Sequence, residues 1–259
     1  MNLPKPIKFQ IERYVGGLSQ LKKIDNPIKL SANESALGPS PKAIEAFEKE
    51  KKKVFKYPED DSNFMREALS NKFKIDSKRI ICGSGSDQIF DLTCRLFLNP
   101  GDEVIVTEFG FIMYKIYASI NKAKVVLAKE KNFKASVEEI IKKVSEKTKI
   151  VFIANPNNPT GTYLSKNEML DLRKKLRSDI LLVVDDAYFE FINSDNFSSG
   201  LDLFKDTANV LVTRTFSKIY GLAGLRLGWG YSSKEIIENM YKIKPPFNVN
   251  RAALVAGTE

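Results

Sequence analysis

One lysine in this sequence stands among small and apolar residues directly after a predicted strand. Lys218 ends the segment Thr215-Phe-Ser-Lys218, and the run IYGLAGLRLGWG follows it. A lysine that loses solvent in such a pocket is a usable nucleophile toward an aldehyde carbon. A lone lysine at the end of a strand is more often a surface residue. The residues around Lys218 therefore decide between the two interpretations.

The nearest polar residues favour a bound phosphate group. Arg226 lies eight residues after Lys218, and a planar guanidinium can donate two parallel hydrogen bonds to phosphate oxygens. The hydroxyl groups of Thr215 and Ser217 can bind the same anion. The alternative for Arg226 is a salt bridge at the end of a strand.

A second phosphate-binding candidate is the segment Gly83-Ser-Gly-Ser86-Asp87, between a predicted strand and a predicted helix. Glycines let the backbone approach an anion, and the free amides of a helix N-terminus bind phosphate. Glycine-serine turns are also common at such junctions, and Asp87 alone is typical of a carboxylate in the first turn of a helix. The segment indicates a phosphate site only in combination with Arg226.

Two further polar segments follow predicted strands. Asp185 ends an apolar run, where open α/β sheets place ligand-binding groups, and a carboxylate there could keep a pyridinium nitrogen protonated. Asn158, in the rigid loop NPNNPTG, could donate a hydrogen bond to a ring hydroxyl. The alternatives are a capping Asp185 beside an exposed Asp186, and a bare turn at 155–161. A lysine, a carboxylate and a phosphate cradle together match the needs of one cofactor.

The elements that position these residues alternate between short β-branched runs and helical stretches. We predict strands at Arg79–Cys82, Glu103–Thr107, Lys124–Ala128, Lys149–Ala154, Ile180–Val184, Asn209–Thr213 and Leu225–Gly230, and helices near 87–98, 112–121, 137–147 and 166–177. The pairs Ser136…Glu139 and Ser165…Glu168 predict reciprocal capping boxes. Strands separated by helices of this length predict an α/β fold, a mostly parallel sheet sandwiched by helices.

The two ends of the chain differ from this pattern. Residues 1–40 are punctuated by proline and glycine, which predicts an irregular N-terminal arm that leads into a helix capped by Ser40 with Pro41 as its first residue. Residues 41–259 then form one large domain. The final residues are typical of a helix that has only begun, so we expect the chain to stop before a further domain.

Composition excludes several classes of site. The chain contains no histidine, which excludes Ser-His-Asp triads and histidine-based metal sites. Cys82 and Cys94 form no CxxC pair, the first residues lack the apolar run of a signal peptide, and no stretch is long enough to span a bilayer. We therefore expect a cytoplasmic protein. The charge of +9 is spread along the chain, which argues against a nucleic-acid partner.

These segments together resemble one known family. NPNNPTG, DDAY, RTFSKIYGLAGLRLGWG and GSGSDQ are similar to segments of the fold-type-I aminotransferases, which use pyridoxal 5'-phosphate (PLP), and within them to the histidinol-phosphate aminotransferases. ERYVGG, LSANESALGPSP and KYPED agree with this family, so the resemblance covers essentially the whole chain. It implies transfer of an amino group from a small amino donor to a 2-oxo acid, with histidinol phosphate and 2-oxoglutarate as the expected pair, in histidine biosynthesis.

The resemblance also implies a role for each site residue. Lys218 would be the Schiff-base lysine and would shuttle the proton, and Asp185 would pair with the pyridinium nitrogen. The residues implied to contact the ring are Asn158 and Tyr188 at its hydroxyl oxygen and Phe111 on its face, and those implied in the phosphate cup are Ser86, Asp87, Thr215, Ser217 and Arg226.

Three other positions carry implications about subunits and substrate. Tyr57 matches a tyrosine that a neighbouring subunit lends, which implies a homodimer, whereas Tyr14 and Asn33 match positions near the substrate. The family also has a C-terminal small domain with arginines that grip the substrate's carboxylate or phosphate, and those residues are absent here. DDAY replaces the commoner DEAY, a change that we expect to be silent at Asp186.

Three alternatives stay open on the sequence alone. A decarboxylase of a phosphorylated amino acid, similar to threonine-phosphate decarboxylases, shares the lysine and aspartate motifs. An aromatic aminotransferase would share them too. A non-catalytic fold that binds nucleic acid through its +9 charge belongs to another class, and the intact lysine, aspartate and asparagine motifs argue against it.

Overall fold

The computed structural model describes residues 4–9, 11, 13–18 and 28–259. Regular structure in these ranges begins at Pro41, the first residue of the first helix. The helices are α1 Pro41–Glu50, α2 Asn63–Phe73, α3 Ser86–Phe97, α4 Ile112–Ile120, α5 Val137–Lys142, α6 Lys166–Lys175, α7 Gly200–Phe204, α8 Lys234–Ile243 and α9 Arg251–Thr258. The strands are β1 Ile80–Gly83, β2 Glu103–Thr107, β3 Lys124–Ala128, β4 Glu130–Lys131, β5 Lys134–Ala135, β6 Thr148–Ala154, β7 Leu181–Asp185, β8 Val210–Thr215 and β9 Gly228–Tyr231.

The central sheet has seven strands in the order β1-β9-β8-β7-β6-β2-β3. Strand β9 runs antiparallel to both of its neighbours, and the other pairings are parallel. The predicted α/β fold with a mostly parallel sheet is therefore confirmed. Because β9 reverses direction between β1 and β8, the carboxyl ends of β1, β6, β7 and β8 reach the same edge of the sheet.

The register at that edge brings the four predicted polar segments together. Ala154 at the end of β6 pairs with Asp185 at the end of β7, and Asp185 pairs with Thr213 in β8. Gly228 at the start of β9 lies between Thr215 and Gly83, its partners in β8 and β1. The loops that follow these strands must therefore surround one region.

Both faces of the sheet are buried. Alternate residues of β6 and β7 enter two separate apolar clusters, with Val151 and Leu182 in one and Phe152 and Val183 in the other. The first cluster includes residues of α1, α2, α5, α6, α7 and α9, and the second includes residues of α3, α4 and α8. This two-sided burial explains why the strands read as continuous apolar runs rather than as alternating ones.

The structure corrects several predicted boundaries. The last predicted strand begins at Gly228 rather than at Leu225, because a 3-10 turn occupies Ala223–Leu225 and Arg226 has a left-handed backbone with φ of 57°. The helix predicted near 137–147 ends at Lys142, where the chain turns back toward β6. The hairpin of β4 and β5 was not predicted, and its two turn residues, Asn132 and Phe133, both have positive φ, as a type I′ hairpin turn requires.

The three predicted helix starts agree with the structure to different extents. Ser165 and Glu168 form the reciprocal capping box at the start of α6. At α5, Ser136 accepts the hydrogen bond of the Glu139 amide, but the Glu139 carboxylate accepts from Lys142 instead of capping the helix. Ser40 lies at the N-cap of α1 without a side-chain hydrogen bond to it. Within the described ranges, no helix has the length and apolar character needed to cross a membrane.

Candidate active site

A cavity of about 690 Å³ opens at the carboxyl ends of β6, β7 and β8. It contains twelve of the thirteen residues that the sequence predicts for the site. These are Tyr14, Asn33, Ser86, Asp87, Phe111, Asn158, Asp185, Tyr188, Thr215, Ser217, Lys218 and Arg226. Tyr57 lies outside the cavity lining, and residues of the irregular arm, Ser31 to Glu34, form part of the wall.

Asp185 forms the floor of the cavity. It is the last residue of β7, and only 5% of its surface is exposed. Thr213 Oγ1 donates to its Oδ1 at 3.1 Å, and the Tyr114 hydroxyl donates to its Oδ2 at 2.7 Å. Burial raises the pKa of this carboxyl to about 6, although the two hydrogen bonds lower it. Asp185 can therefore accept a hydrogen bond from a donor that binds in the cavity.

Tyr114 is a residue of this site that the sequence analysis missed. It lies in α4, three residues after Phe111, so the two side chains share one face of the helix. Their rings meet edge to face at 5.6 Å between centroids. The spacing in GFIMY was the available signal, but only the fold shows that this face covers the end of β7.

Asn158 and Tyr188 meet above the floor. The Asn158 amide donates to the Tyr188 hydroxyl at 3.4 Å, and the Asn33 amide donates to the same hydroxyl at 3.0 Å. The loop that carries Asn158 is fixed by Asn155, whose side chain donates to the Leu164 carbonyl and accepts from the Leu164 amide. The asparagine loop is therefore held by its own hydrogen bonds and is more than a bare turn.

Lys218 reaches into the cavity from the loop after β8. Its Nζ donates to the Ala32 carbonyl at 2.9 Å and lies 5.5 Å from the centre of the Tyr188 ring. The side chain is partly buried, and its loop is closed by a hydrogen bond from the Gly221 amide to the Lys218 carbonyl. The amine thus lies between the N-terminal arm and the tyrosine.

The predicted phosphate donors converge at one side of the cavity. Arg226 Nη1 donates to Ser217 Oγ at 3.1 Å, and Arg226 Nη2 lies 3.5 Å from Asp87 Oδ2. Thr215 Oγ1 accepts from the Ser217 amide at 3.0 Å. Helix α3 begins at Ser86 in the same place, so its first amides point toward the guanidinium and the hydroxyl groups.

Two glycines make this convergence possible. A Cβ on Gly85 would lie 2.4 Å from Arg226 Nη2, and a Cβ on Gly228 would lie 2.3 Å from the Ser86 amide nitrogen. Gly85 also has a φ of 78°, which side chains disfavour. One oxygen of Asp87, Oδ1, is buried without a hydrogen-bond partner in the described part of the chain. A cradle lined by an arginine, two hydroxyl groups and helix amides fits an anion of phosphate size.

Asp186 is not the exposed residue of the capping alternative. Only 1% of its surface is exposed, and it accepts from the Gly200 amide at 3.0 Å and the Leu201 amide at 3.4 Å. Burial raises the pKa of its carboxyl to about 7, and Arg214, 3.7 Å away, lowers it. The helix-capping function that the alternative gave to Asp185 belongs to its neighbour, at the start of α7.

Tyr57 is exposed and does not line the cavity of its own chain. Its side chain is 78% exposed and stacks on the Phe247 ring at 4.5 Å between centroids. Tyr14 lines the cavity and is 56% exposed. The structure therefore gathers the cofactor-side and substrate-side candidates, apart from the residue expected to act in a neighbouring subunit.

Comparison with known proteins shows that nearly the whole chain is similar to aminotransferases. The family model for aminotransferase class I and II matches residues 25–258. The chain is 58% identical over 259 residues to the histidinol-phosphate aminotransferase of Pelagibacter ubique, covering 100% of this chain and 72% of that protein. It is 45% identical over 254 residues to the histidinol-phosphate aminotransferase of Paramagnetospirillum magneticum, covering 98% and 70%.

Solved structures have the same fold over a similar range. A histidinol-phosphate aminotransferase from Sinorhizobium meliloti in complex with pyridoxal-5'-phosphate superposes with a TM-score of 0.83 at 27% identity, over 88% of this chain and 62% of that one. A putative histidinol-phosphate aminotransferase from Erwinia carotovora atroseptica gives a TM-score of 0.84 at 26% identity, over 89% and 68%. The chain thus spans less than two thirds of the Sinorhizobium protein.

Proposed function

The chain belongs to the class I and II aminotransferase family, and from this premise we propose that it forms the cofactor half of a histidinol-phosphate aminotransferase. Its reaction is PLP-dependent transfer of the amino group of histidinol phosphate to 2-oxoglutarate, a step of histidine biosynthesis. Residues 41–259 make up the cofactor-binding domain, and residues 1–40 supply an arm on the substrate side. The buried, unpaired thiols of Cys82 and Cys94 suit a cytoplasmic enzyme.

One observation carries the proposal. A lysine amine, a buried carboxylate and a phosphate cradle surround a single cavity at the carboxyl ends of neighbouring strands. PLP needs those three groups, and when bound it supplies an electron sink for charge that develops at the substrate α-carbon.

The phosphate of the cofactor fits the cradle at the start of α3. Arg226 would donate two hydrogen bonds to its oxygens, joined by the hydroxyl groups of Thr215 and Ser217 and by the amides of Ser86 and Asp87. The guanidinium already lies against Ser217, so this side of the cradle needs little rearrangement before it binds the anion.

The ring fits between the floor and the loops. Asp185 would hold the proton of the ring nitrogen, Asn158 and Tyr188 would donate to the ring hydroxyl oxygen, and Phe111 would cover one face. Donors at one ring edge and an acceptor at another fix the orientation of the ring. Lys218 lines the same cavity and would hold the aldehyde group of the cofactor.

Lys218 performs the proton transfers. Its Nζ would hold the cofactor through the aldehyde carbon, and substrate binding would leave Nζ free to act as a base. The freed Nζ removes the proton from the substrate α-carbon and later delivers it. Tyr188, 5.5 Å from Nζ, and the Ala32 carbonyl, 2.9 Å away, keep the amine beside the substrate.

Half-reactions of the full-length gene product test the proposal. The protein is mixed with PLP and then with histidinol phosphate, phenylalanine or threonine phosphate, and the visible absorbance of the lysine-bound cofactor is followed. Loss of absorbance with histidinol phosphate, together with an oxo product, is the expected result. Release of carbon dioxide from threonine phosphate without an oxo product would contradict transamination and support the decarboxylase.

The variant Lys218→Ala is the control for the lysine. Borohydride reduction should trap PLP covalently on the natural protein and leave the variant unlabelled. Cofactor that stays attached to the variant after reduction would identify a different lysine.

We also propose that the enzyme is a homodimer in which Tyr57 reaches the partner's cofactor phosphate. Tyr57 is largely exposed, and the neighbouring Val54 and Phe55 are 79% and 78% exposed, so this segment offers apolar surface to a second copy. Sedimentation of the full-length protein at micromolar concentration should give the mass of a dimer. A monomer at that concentration would contradict the shared site.

A further inference from the structure

The two oxygens of Asp185 each accept a hydrogen bond from a different element. Thr213 in β8 donates to Oδ1 at 3.1 Å, and Tyr114 in α4 donates to Oδ2 at 2.7 Å. The shorter bond comes from a side chain that is 1% exposed. Hydrogen bonds to a charged acceptor are stronger than those between neutral groups, and burial strengthens them further.

An aromatic cluster fixes the Tyr114 ring. Tyr114 stacks on Phe152 with 4.7 Å between centroids and 7° between planes, and Phe90 meets it edge to face at 5.1 Å. The pKa of the Tyr114 phenol is raised by burial and by the Asp185 carboxylate. The hydroxyl therefore keeps its proton and has no solvent to turn toward, so it donates to Asp185 permanently.

Tyr114 also contacts the residue proposed to cover the cofactor ring. Phe111 meets Tyr114 edge to face, and the Tyr114 amide donates to the Phe111 carbonyl at 3.3 Å. The Tyr114 side chain thus contacts two residues that line the cavity: its hydroxyl contacts Asp185, and its ring contacts Phe111.

We propose that Tyr114 is a positioning residue that keeps the Asp185 carboxylate ionised and aimed at the cofactor ring nitrogen. The inference rests on the proposed function for the cofactor itself, but the hydrogen bond acts on Asp185 before any cofactor binds. The phenol stabilises the charged carboxylate against the cost of burial, and its loss would shift the equilibrium toward the neutral acid.

Other charged and titratable groups face Asp185 from the surrounding elements. Asp87 in α3 raises the pKa of Asp185, and the charge of Asp185 in turn raises the pKa of the adjacent Asp186. Tyr188 and Lys218 line the same cavity. Because burial and Asp87 both oppose ionisation of Asp185, its hydrogen-bond donors matter more than they would in an exposed, neutral pocket.

Titration of Asp185 in the cofactor-free, full-length protein tests the inference. Aspartate labelled with carbon-13 at the side-chain carboxyl is followed by NMR, and Asp185→Asn identifies the resonance. We expect Tyr114→Phe to raise the pKa of Asp185 by about one pH unit, the effect of losing one hydrogen bond to a charged group. Tyr117→Phe is the matched control in the same helix and should leave that pKa unchanged. Equal pKa values in the natural protein and Tyr114→Phe would overturn the inference.

A second variant tests the same bond without removing it. Site-specific 3-fluorotyrosine at position 114 keeps the ring in its cluster and makes the phenol a stronger donor. The pKa of Asp185 should then fall, opposite to its change in Tyr114→Phe. A rise would show that the ring and not the hydroxyl governs Asp185, and would overturn the inference.

Cofactor binding separates this inference from the proposed function. With a pKa of about 6 in the natural protein, a rise of one unit lowers the ionised fraction of Asp185 about tenfold at pH 5 but only slightly at pH 7.5. Tyr114→Phe should therefore raise the dissociation constant for PLP by about tenfold at pH 5 and leave it nearly unchanged at pH 7.5. If the pKa of Asp185 moves as expected but the natural protein binds no PLP, the positioning of Asp185 stands and the proposed function fails.

Discussion

Two adjacent carboxylates at the end of β7 lie in the same buried environment but have different partners. Asp185 faces the cavity and accepts from Tyr114 and Thr213. Asp186 faces the opposite side of the sheet and accepts from the first amides of α7, with Arg214 nearby. The period of two along a strand sends neighbours to opposite faces. One aspartate is thereby available for chemistry, and the other holds the fold.

The ionised form of Asp185 should reduce the stability of the cofactor-free protein. Its pKa in the folded protein is about 6, above the ordinary value of 3.8. The folded state therefore binds more protons than the unfolded state, and stability is lost as the pH rises from about 4 to 6. Asp185→Asn removes this loss, so at pH 8 we expect it to raise the free energy of unfolding by about 2 to 3 kcal/mol.

Urea denaturation at pH 8 and pH 4 measures this effect. The gain should be present at pH 8 and mostly lost at pH 4, where Asp185 is protonated in the folded protein and only partly ionised in the unfolded chain. The same variant should lose PLP binding, since an amide cannot hold the ring-nitrogen proton. A variant that is less stable than the natural protein at pH 8 would contradict the argument.

Arg214 should become more important as the pH rises. Its guanidinium lies 3.7 Å from the Asp186 carboxylate and 3.7 Å from the centre of the Phe189 ring, and it lowers the pKa of Asp186 against burial. Replacing Arg214 by Met raises that pKa further above about 7. The stability of the variant then continues to fall through higher pH, because its folded state holds the proton longer.

We expect Arg214→Met to cost about 3 kcal/mol at pH 8, the order found for breaking a buried ion pair, and clearly less at pH 6. Arg79→Met is the control, because the Arg79 guanidinium also lies over an aromatic ring, that of Tyr231, and donates to the Ser232 carbonyl. Its cost should be equal at the two pH values. Equal costs for Arg214→Met at both pH values would exclude the coupling to Asp186.

At the scale of elements, the positions of strands along the chain could be predicted better than the contacts between elements. The runs that form β2 and β3 match their predicted bounds, because adjacent β-branched residues favour strands. The polar segments that follow β1, β6, β7 and β8 were predicted from sequence to follow strands, and they line one cavity. Their roles as catalytic or cofactor-binding residues remain predictions.

Features that depend on contacts between elements could not be predicted from the sequence. The reversed direction of β9 depends on pairing with both β8 and β1, which no local pattern encodes. From the sequence, Tyr114 is one more aromatic residue of α4, and only the fold shows that its hydroxyl donates to Asp185. The burial of Asp186 could not be predicted either, because it depends on where α7 begins, 14 residues later.

The sheet brings the start of β9 into close contact with the start of α3, and a substitution at Gly228 tests this contact. A Cβ on Gly228 would lie 2.3 Å from the Ser86 amide nitrogen and 2.6 Å from the Gly85 carbonyl carbon. Backbone atoms cannot yield as a flexible side chain can, so the start of α3 must move. We expect Gly228→Ala to cost about 1 to 3 kcal/mol in stability and to abolish measurable binding of PLP.

Gly224→Ala is the matched control for this prediction. Nothing lies within 4 Å of a Cβ at Gly224, which lies four residues earlier, in the turn before β9. This variant should stay within about 0.5 kcal/mol of the natural protein and should bind PLP normally. Thermal unfolding and a PLP titration by absorbance compare the two, and normal PLP binding by Gly228→Ala would refute the need for close contact.

At the scale of the whole molecule, the exposed apolar side chains are concentrated outside the central sheet. Leu30, Leu37 and Phe64 are 85%, 93% and 71% exposed, and Tyr57 joins them in the N-terminal quarter of the chain. Large apolar surface of this kind is typical of a protein interface. The proposed dimer would bury it and would bring each Tyr57 to the other subunit's cavity.

Hybrid dimers test whether the site is shared. In a subunit with Lys218→Ala, Tyr57 is intact, and in a subunit with Tyr57→Ala, Lys218 is intact. If Tyr57 acts across the interface, a dimer of the two has one complete site, composed of Lys218 from one subunit and Tyr57 from the other, and one site that lacks both. Random exchange between equal amounts of the variants should then restore about a quarter of the natural density of complete sites, as two-fold symmetry requires.

The measurement is the transaminase rate at limiting PLP, where a missing phosphate contact lowers occupancy of the site. Each variant alone should be nearly inactive under these conditions, and activity should appear on mixing after brief partial denaturation and refolding. A mixture of natural protein with Lys218→Ala serves as the control for subunit exchange. If Tyr57 instead serves its own subunit's cavity, no pairing of the two variants contains both residues in one site, and mixing restores nothing.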